Sequence, residues 1–137
     1  MPETKSYVID ASVAVKWFTY EEGTDQARAI LKKGQGGALA LLAPDLLLYE
    51  VGNALAKGKG LAAMEVREAL ALLQADVTLQ PLDRLLIERT ASFVEEYGLT
   101  FYDAVYVALA EQYNAILVTA NPKDHRKVRE IGLLLLK

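Results

Sequence analysis

Three carboxylates stand in stretches of this chain that otherwise read as protein interior. Asp10 follows Tyr7-Val8-Ile9, Glu50 sits within Leu46-Leu47-Leu48-Tyr49-Glu50-Val51, and Asp103 opens Asp103-Ala104-Val105-Tyr106-Val107-Ala108-Leu109. An isolated buried carboxylate is costly, so such groups neutralise, pair or coordinate a cation. No run of Lys or Arg adjoins them to supply the pairing. A shared divalent metal is the simplest physical reason for all three, and hard carboxylate oxygens favour Mg²⁺ or Mn²⁺.

Taken singly, each residue has a plainer reading. Asp10 falls where a strand gives way to a helix, and Asp is among the best N-cap residues. Thr100-Phe101-Tyr102-Asp103 has the spacing of a capping box, although a carboxylate has two oxygens and can serve two roles. Asn121 before Pro122 is a common helix start. Glu50 lies several residues inside its helix, so capping does not explain it; its alternative is a residue emerging to solvent between two apolar stripes. The joint argument is stronger. Asp10 and Asn121 each follow a strand at the same end of a sheet, and Asp103 begins the helix that feeds the strand before Asn121. Their helix starts converge on one crevice, with Ser12 and Thr119 nearby as small donors.

Those positions require a frame of alternating elements. Ser6–Ile9, Leu39–Ala43, Val77–Gln80, Ala115–Val118 and Leu133–Leu136 read as short apolar strands, the second ended by Pro44. Between them, Ala11–Phe18, Thr24–Lys33, Leu46–Lys57, Ala62–Gln74, Leu82–Tyr97, Phe101–Tyr113 and Lys123–Ile131 carry helical spacing. Gly34 is expected to stop the second of these, Gly58-Lys59-Gly60 to break the third, and Gly98 to cap the fifth. Strands separated by helices imply a three-layer α/β/α fold, with a central parallel sheet of four to five strands covered on both faces. In such folds ligands sit beyond the carboxyl ends of the strands.

Composition narrows the chemistry. A chain of 137 residues, 53% hydrophobic and 24% charged, suits one globular domain over residues 1–137 with a real core. There is no cysteine, which excludes disulfides, Fe–S clusters and thiolate zinc sites. The sole histidine, His125, makes zinc hydrolysis a poor fit, because such sites use two or three. The polar start and the lack of a long apolar run point to a cytoplasmic protein with no membrane association. Net charge is −3, so there is no global footprint for nucleic acid. A local basic patch is therefore needed, and Lys16, Lys123, Arg126 and Lys127 are the candidates for phosphate contact. Trp17, Tyr49, Tyr102 and Tyr106 are candidate stacking groups, although core packing is the better reading for most of them.

Four segments carry a family resemblance. Val8-Ile9-Asp10-Ala11-Ser12-Val13-Ala14-Val15-Lys16-Trp17-Phe18 resembles the opening of prokaryotic PIN domains, particularly VapC-type toxins. Leu48-Tyr49-Glu50-Val51-Gly52-Asn53-Ala54-Leu55, then Thr100-Phe101-Tyr102-Asp103-Ala104-Val105-Tyr106-Val107-Ala108-Leu109-Ala110, then Leu117-Val118-Thr119-Ala120-Asn121, are similar to the second, third and fourth motifs. The resemblance runs from Ser6 to Leu136 in the right order. It implies a PIN-like sheet fold and metal-dependent endoribonuclease activity, with one or two Mg²⁺ or Mn²⁺ ions. Asp10 and Asp103 would be metal ligands and Glu50 would complete the acidic pocket. Ser12 and Thr119 would hold the strand-end loops. It further implies the toxin role of a type II toxin–antitoxin pair, a small antitoxin partner, an RNA substrate, and a homodimer or higher homo-oligomer. The fourth motif often ends in Asp; here Asn121 keeps an oxygen and loses a charge, and Asp124, three residues later, is the candidate substitute.

Three other readings compete. A response-regulator receiver needs an acidic pair after the first strand, where this chain has Asp10-Ala11-Ser12. A haloacid-dehalogenase-type phosphatase needs Asp-x-Asp, and Ser12 occupies the second position. The third is a catalytically weak PIN-like scaffold that binds RNA or protein.

Overall fold

The computed structural model of the chain describes residues 4–121 and 132–136. The expected helix Lys123–Ile131, together with Lys123, Asp124, Arg126 and Lys127, lies outside the described residues. Five strands form one sheet: β1 (Lys5–Ile9), β2 (Leu39–Pro44), β3 (Thr78–Gln80), β4 (Ile116–Thr119) and β5 (Gly132–Leu135). Their order is β3-β2-β1-β4-β5, and every pairing is parallel. Among the described residues six α-helices accompany them: α1 (Ala11–Ala14), α2 (Thr24–Gln35), α3 (Leu46–Asn53), α4 (Ala63–Asp76), α5 (Arg84–Tyr97) and α6 (Phe101–Gln112). This is the expected three-layer α/β/α arrangement.

Strand order decides where a ligand can go. The chain steps outward from β1 to β2 to β3, then returns across the sheet through α5 and α6 to β4 on the other side of β1. Parallel crossovers are right-handed, so reversing direction moves the connecting helices to the opposite face. The reversal opens a crevice between the carboxyl ends of β1 and β4, the usual ligand position in such sheets. Asp10 and Ala120 are the residues that follow those two strands.

Burial explains why the middle strands and α6 lack amphipathic alternation. Val8, Ile9, Leu117 and Val118 are fully buried, as expected for parallel strands covered on both faces. Helix α6 lies against β1, β2 and β4 on one side and α5 on the other. Its residues Ala104–Ala110 are all buried. Fully burying an aliphatic side chain of this kind is worth about 1.5–3 kcal/mol, so α6 anchors the half of the fold that carries Asp103.

Three local expectations change. The helix from Ala11 does not reach Phe18: α1 gives way to a 3₁₀ turn, Val15–Trp17. There the buried Trp17 indole donates to the Ala27 carbonyl at 2.8 Å, which ties this turn to α2. Helix α2 passes through Gly34 to Gln35, because Gly34 serves close packing: a Cβ there would lie 2.6 Å from Leu41 Cγ on β2. Pro44 ends β2 from within, paired with Gln80, a position where a strand tolerates the missing donor. Gly98 closes α5 at a φ of 68°, as expected of a helix-ending glycine. The third helix closes in a π turn, Ala54–Gly58, and π turns are frequent near functional sites.

Candidate active site

Asp10 is delivered to the crevice by the end of β1. Its backbone N–H still reaches Val118 at 3.3 Å, so the sheet ladder fixes its position. Its side chain is buried at 6% exposure and caps α1, with Oδ1 accepting from the Val13 N–H at 3.2 Å. Ser12 donates to the same oxygen at 2.6 Å. The Ser12 hydroxyl also accepts from the Ala120 N–H at 2.9 Å and lies 3.3 Å from Thr119 Oγ1. Thr119, fully buried, accepts from the Asn121 N–H at 3.0 Å. Ser12 and Thr119 therefore lace the loop after β1 to the loop after β4, the supporting role the sequence suggests. Asp10 is a cap and a pocket residue at once.

Glu50 approaches from α3. It is half-buried, and its Oε1 accepts a 2.6 Å hydrogen bond from the hydroxyl of Tyr106 on α6. Burial pushes the Glu50 carboxyl above its ordinary range; the Tyr106 bond opposes this, and the negative charges of Asp10 and Asp103 add to the rise. Burial likewise pushes the Tyr106 phenol up, joined by the charge of Glu50 and then of Asp10 and Asp103. The charges of Asp10 and Asp103 thus both bear on Glu50 and Tyr106, an arrangement common at functional carboxylate sites. Asp103 sits in the first turn of α6, where Thr100 Oγ1 accepts from its N–H at 3.0 Å. Among the described residues no hydrogen bond reaches the Asp103 carboxylate, which is part-exposed.

Tyr106 is the residue whose further role sequence reasoning misses. The sequence groups it with core or stacking aromatics, and it is core, buried at 3% exposure. Its hydroxyl, however, is the partner of Glu50. The available signal is its place three residues after Asp103, on the same face of one helix. Trp17 is likewise buried, whereas Tyr49 and Tyr102 are exposed. Lys16 is drawn away from phosphate contact: its Nζ reaches Glu21 Oε1 at 3.3 Å and the Glu22 carbonyl at 2.6 Å. Asn121 is exposed at the mouth of the crevice.

The donor set can be tested against a divalent ion. Among the described residues no three His, Cys, Asp or Glu side chains are gathered tightly enough to cage an ion unaided. A cage is not what Mg²⁺ requires, since it keeps several waters and binds through one or two carboxylates plus substrate phosphate. Carboxylate oxygens from three elements around one crevice, with Glu50 pushed toward protonation by burial and then by the charges of Asp10 and Asp103, fit that mode. Asp10 and Asp103 would hold such an ion, with Glu50 beside them.

Comparison with known proteins now decides the family. The PIN domain profile matches residues 7–131. The chain belongs to the PIN domain family. PIN domains are generally nucleases that use divalent metal ions. Among solved structures, VapBC2 from Rickettsia felis, bound to a DNA fragment from its promoter, superposes with a TM-score of 0.75 at 14% identity, covering 96% of this chain and 99% of that one. The Mycobacterium tuberculosis toxin VapC20, described as cleaving the sarcin–ricin loop, gives 0.70 at 14% identity, covering 90% and 98%. PAE2754 from Pyrobaculum aerophilum gives 0.61 at 26% identity, covering 94% and 90%. No curated protein matches the chain. No helix among the described residues is long and apolar enough to cross a membrane.

Proposed function

We propose that this PIN domain, a single unit over residues 1–137, is a Mg²⁺- or Mn²⁺-dependent endoribonuclease acting in the cytoplasm as the toxin of a type II toxin–antitoxin pair. The observation that carries the nuclease reading is the approach of Glu50 to Asp10 and Asp103, close enough for both charges to bear on it, at the carboxyl end of β1 where the strand order reverses. The toxin reading, with its small antitoxin and homodimer, draws on the likeness to toxin–antitoxin complexes.

When bound, a divalent ion would polarise the scissile phosphate and make bound water more acidic. The chain's own residues supply the rest. Asp10, pinned by Ser12 and Val13, presents a carboxylate that cannot swing away. Glu50, its Oε1 occupied by Tyr106, accepts the proton of the attacking water through its other oxygen; its raised protonation brings it nearer the working pH of a general base. The water oxygen bonds to phosphorus, the bond from phosphorus to the 3′ oxygen breaks, and that oxygen takes up a proton. The products are a 5′-phosphate and a 3′-hydroxyl.

The test is cleavage of a generic single-stranded RNA with Mg²⁺ or Mn²⁺. Activity should vanish in EDTA and in Asp10→Asn. An Asp10→Asn protein with full, EDTA-sensitive cleavage would overturn the assignment. A wild-type chain that binds RNA, gains no thermal stability from metal and never cuts would establish the scaffold reading.

A further inference from the structure

One glutamate outside the pocket clasps together the two segments that carry Asp10 and Glu50. The Glu21 carboxylate lies between two lysines: Lys16 Nζ is 3.3 Å from its Oε1, and Lys59 Nζ is 2.8 Å from its Oε2. Lys16 belongs to the 3₁₀ turn that continues α1, the helix that Asp10 caps. Lys59 ends the π turn that continues α3, the helix of Glu50, and its backbone N–H closes that turn on the Ala54 carbonyl at 2.9 Å. Glu21 is itself held in place. Its backbone N–H donates to Thr24 Oγ1 at 2.9 Å, and the hydroxyl of this buried threonine donates to the Thr19 carbonyl at 3.0 Å.

We infer that Glu21 is a positioning residue: through Lys16 and Lys59 it sets how α3, and Glu50 with it, stands against the segment that carries Asp10. The inference rests on the nuclease reading for its catalytic consequence, and it adds to that site a determinant outside the pocket.

Placement separates this clasp from an ordinary surface ion pair. Its two lysines come from the elements whose carboxylates must converge. Lys16 lies six residues beyond Asp10 and Lys59 nine beyond Glu50, so each arm is within about three helical turns of an acid. Helices α1 and α3 are in contact, and Val13, Ala14, Leu47, Val51 and Leu55 are fully buried. That burial opposes parting of the helices, but it is non-directional; the clasp adds the directional restraint. The π turn makes the restraint matter. Its i→i+5 bonds replace the usual helical ladder, so the end of α3 is held differently from its start, and Lys59 sits at that end. Tyr106 fixes the Glu50 side chain from α6, and the clasp fixes the backbone that carries it. Exposed ion pairs contribute little to stability, so the effect of losing this one belongs at the site and not in the melting temperature.

The experiment reads tyrosine labelled with ¹³C at Cζ by NMR in the metal-free protein, because the Tyr106 signal follows its hydrogen bond to Glu50. Tyr106→Phe assigns that signal among the seven tyrosines. Glu21→Ala should move it, and Lys59→Met should move it the same way. Lys59→Arg, which keeps the charge, should restore the wild-type position. Mn²⁺ affinity and kcat should fall roughly 2- to 10-fold in the first two variants, less than the loss of a ligand's direct supporting partner brings, with the KM for RNA unchanged. In a Glu50→Gln background Glu21→Ala should have no further effect on either, the non-additivity of residues that act through one another. A Tyr106 signal unmoved in both Glu21→Ala and Lys59→Met overturns the proposal. So does a lowered melting temperature with Mn²⁺ affinity and kcat unchanged, which makes the clasp structural only. A raised KM for RNA with kcat unchanged in Lys59→Met also overturns it, because that assigns the lysine to phosphate contact. A wild-type protein that binds no Mn²⁺ and never cleaves, yet shows the Tyr106 shifts, removes the nuclease reading and leaves the clasp standing.

Discussion

The two sides of the crevice are built differently. The Asp10 side is laced: Ser12, the Val13 N–H, Thr119 and Ala120 interlock within hydrogen-bond distance of one another, on loops leaving the two central strands. The side formed by α3 and α6 is sparse. Glu50 is held by one phenol, and Asp103 by no hydrogen bond from the described residues. A rigid carboxylate opposite two adaptable ones suits a pocket that must close around a cation and a phosphate, because binding then orders only one side. The difference teaches where positioning is stored: in the sheet for Asp10, and in a single hydroxyl for Glu50.

Several substitutions would break or sharpen that contrast. Asp10→Asn keeps a good helix cap and removes the fixed charge. RNA cleavage should fall at least about 100-fold, the upper end of what losing a ligand's supporting partner alone costs, with little change in thermal midpoint. On the sparse side, Tyr106→Phe removes the hydroxyl that orients Glu50. Metal affinity or kcat should drop roughly 10- to 100-fold, as when a ligand's supporting partner is lost, while circular dichroism stays unchanged. Ser12→Ala unlaces the rigid side and strands the Ala120 N–H. Urea unfolding should show a loss of about 1–3 kcal/mol, and cleavage should suffer less than in Tyr106→Phe.

Smaller still is the effect of Glu50→Gln in EDTA. The raised protonation of Glu50 means that the folded state resists its charge. At pH above that raised value the charge opposes folding, and the opposition fades as pH falls through it. Removing the charge should therefore raise the melting temperature by about 2–4 °C at neutral pH, with the gain shrinking on acidification. Glu21 makes the opposite case. Its carboxyl is held below the ordinary range by Lys59, against burial, with help from Lys16. Its contribution is present at neutral pH and is lost as pH falls below about 4.5. Being an exposed ion pair, it should shift stability by less than Glu50 does.

Much of this is legible in the sequence. The alternation of apolar strands and helices gives the sheet, and the three acids stand out because each interrupts a core-like run. Local chemistry was readable where it is local: Asp10 as a cap, Thr100 as a cap, Gly98 as a stop. What escaped depends on partners remote in the chain. Gly34 carries the punctuation of a helix end, yet it is kept small by Leu41 on a neighbouring strand. The first helix breaks early because Trp17 turns inward to Ala27. Lys16 reads as a free cation and is spent on Glu21 and Glu22. Tyr106 reads as core, and it is core, but its hydroxyl serves a glutamate on another helix. Hydrophobic periodicity reports which face is buried; it carries no information about which polar atom waits there.

The central claim is that acids from three separate elements act on one divalent ion. Calorimetric titration of the metal-free protein with Mn²⁺ tests it most directly, in the wild type and in Asp10→Asn, Glu50→Gln and Asp103→Asn. Binding by the wild type, weakened at least tenfold by the Asp10 and Asp103 substitutions and measurably by that of Glu50, is the expected result. Wild-type affinity that survives in both Asp10→Asn and Asp103→Asn, or no binding at all, would contradict it.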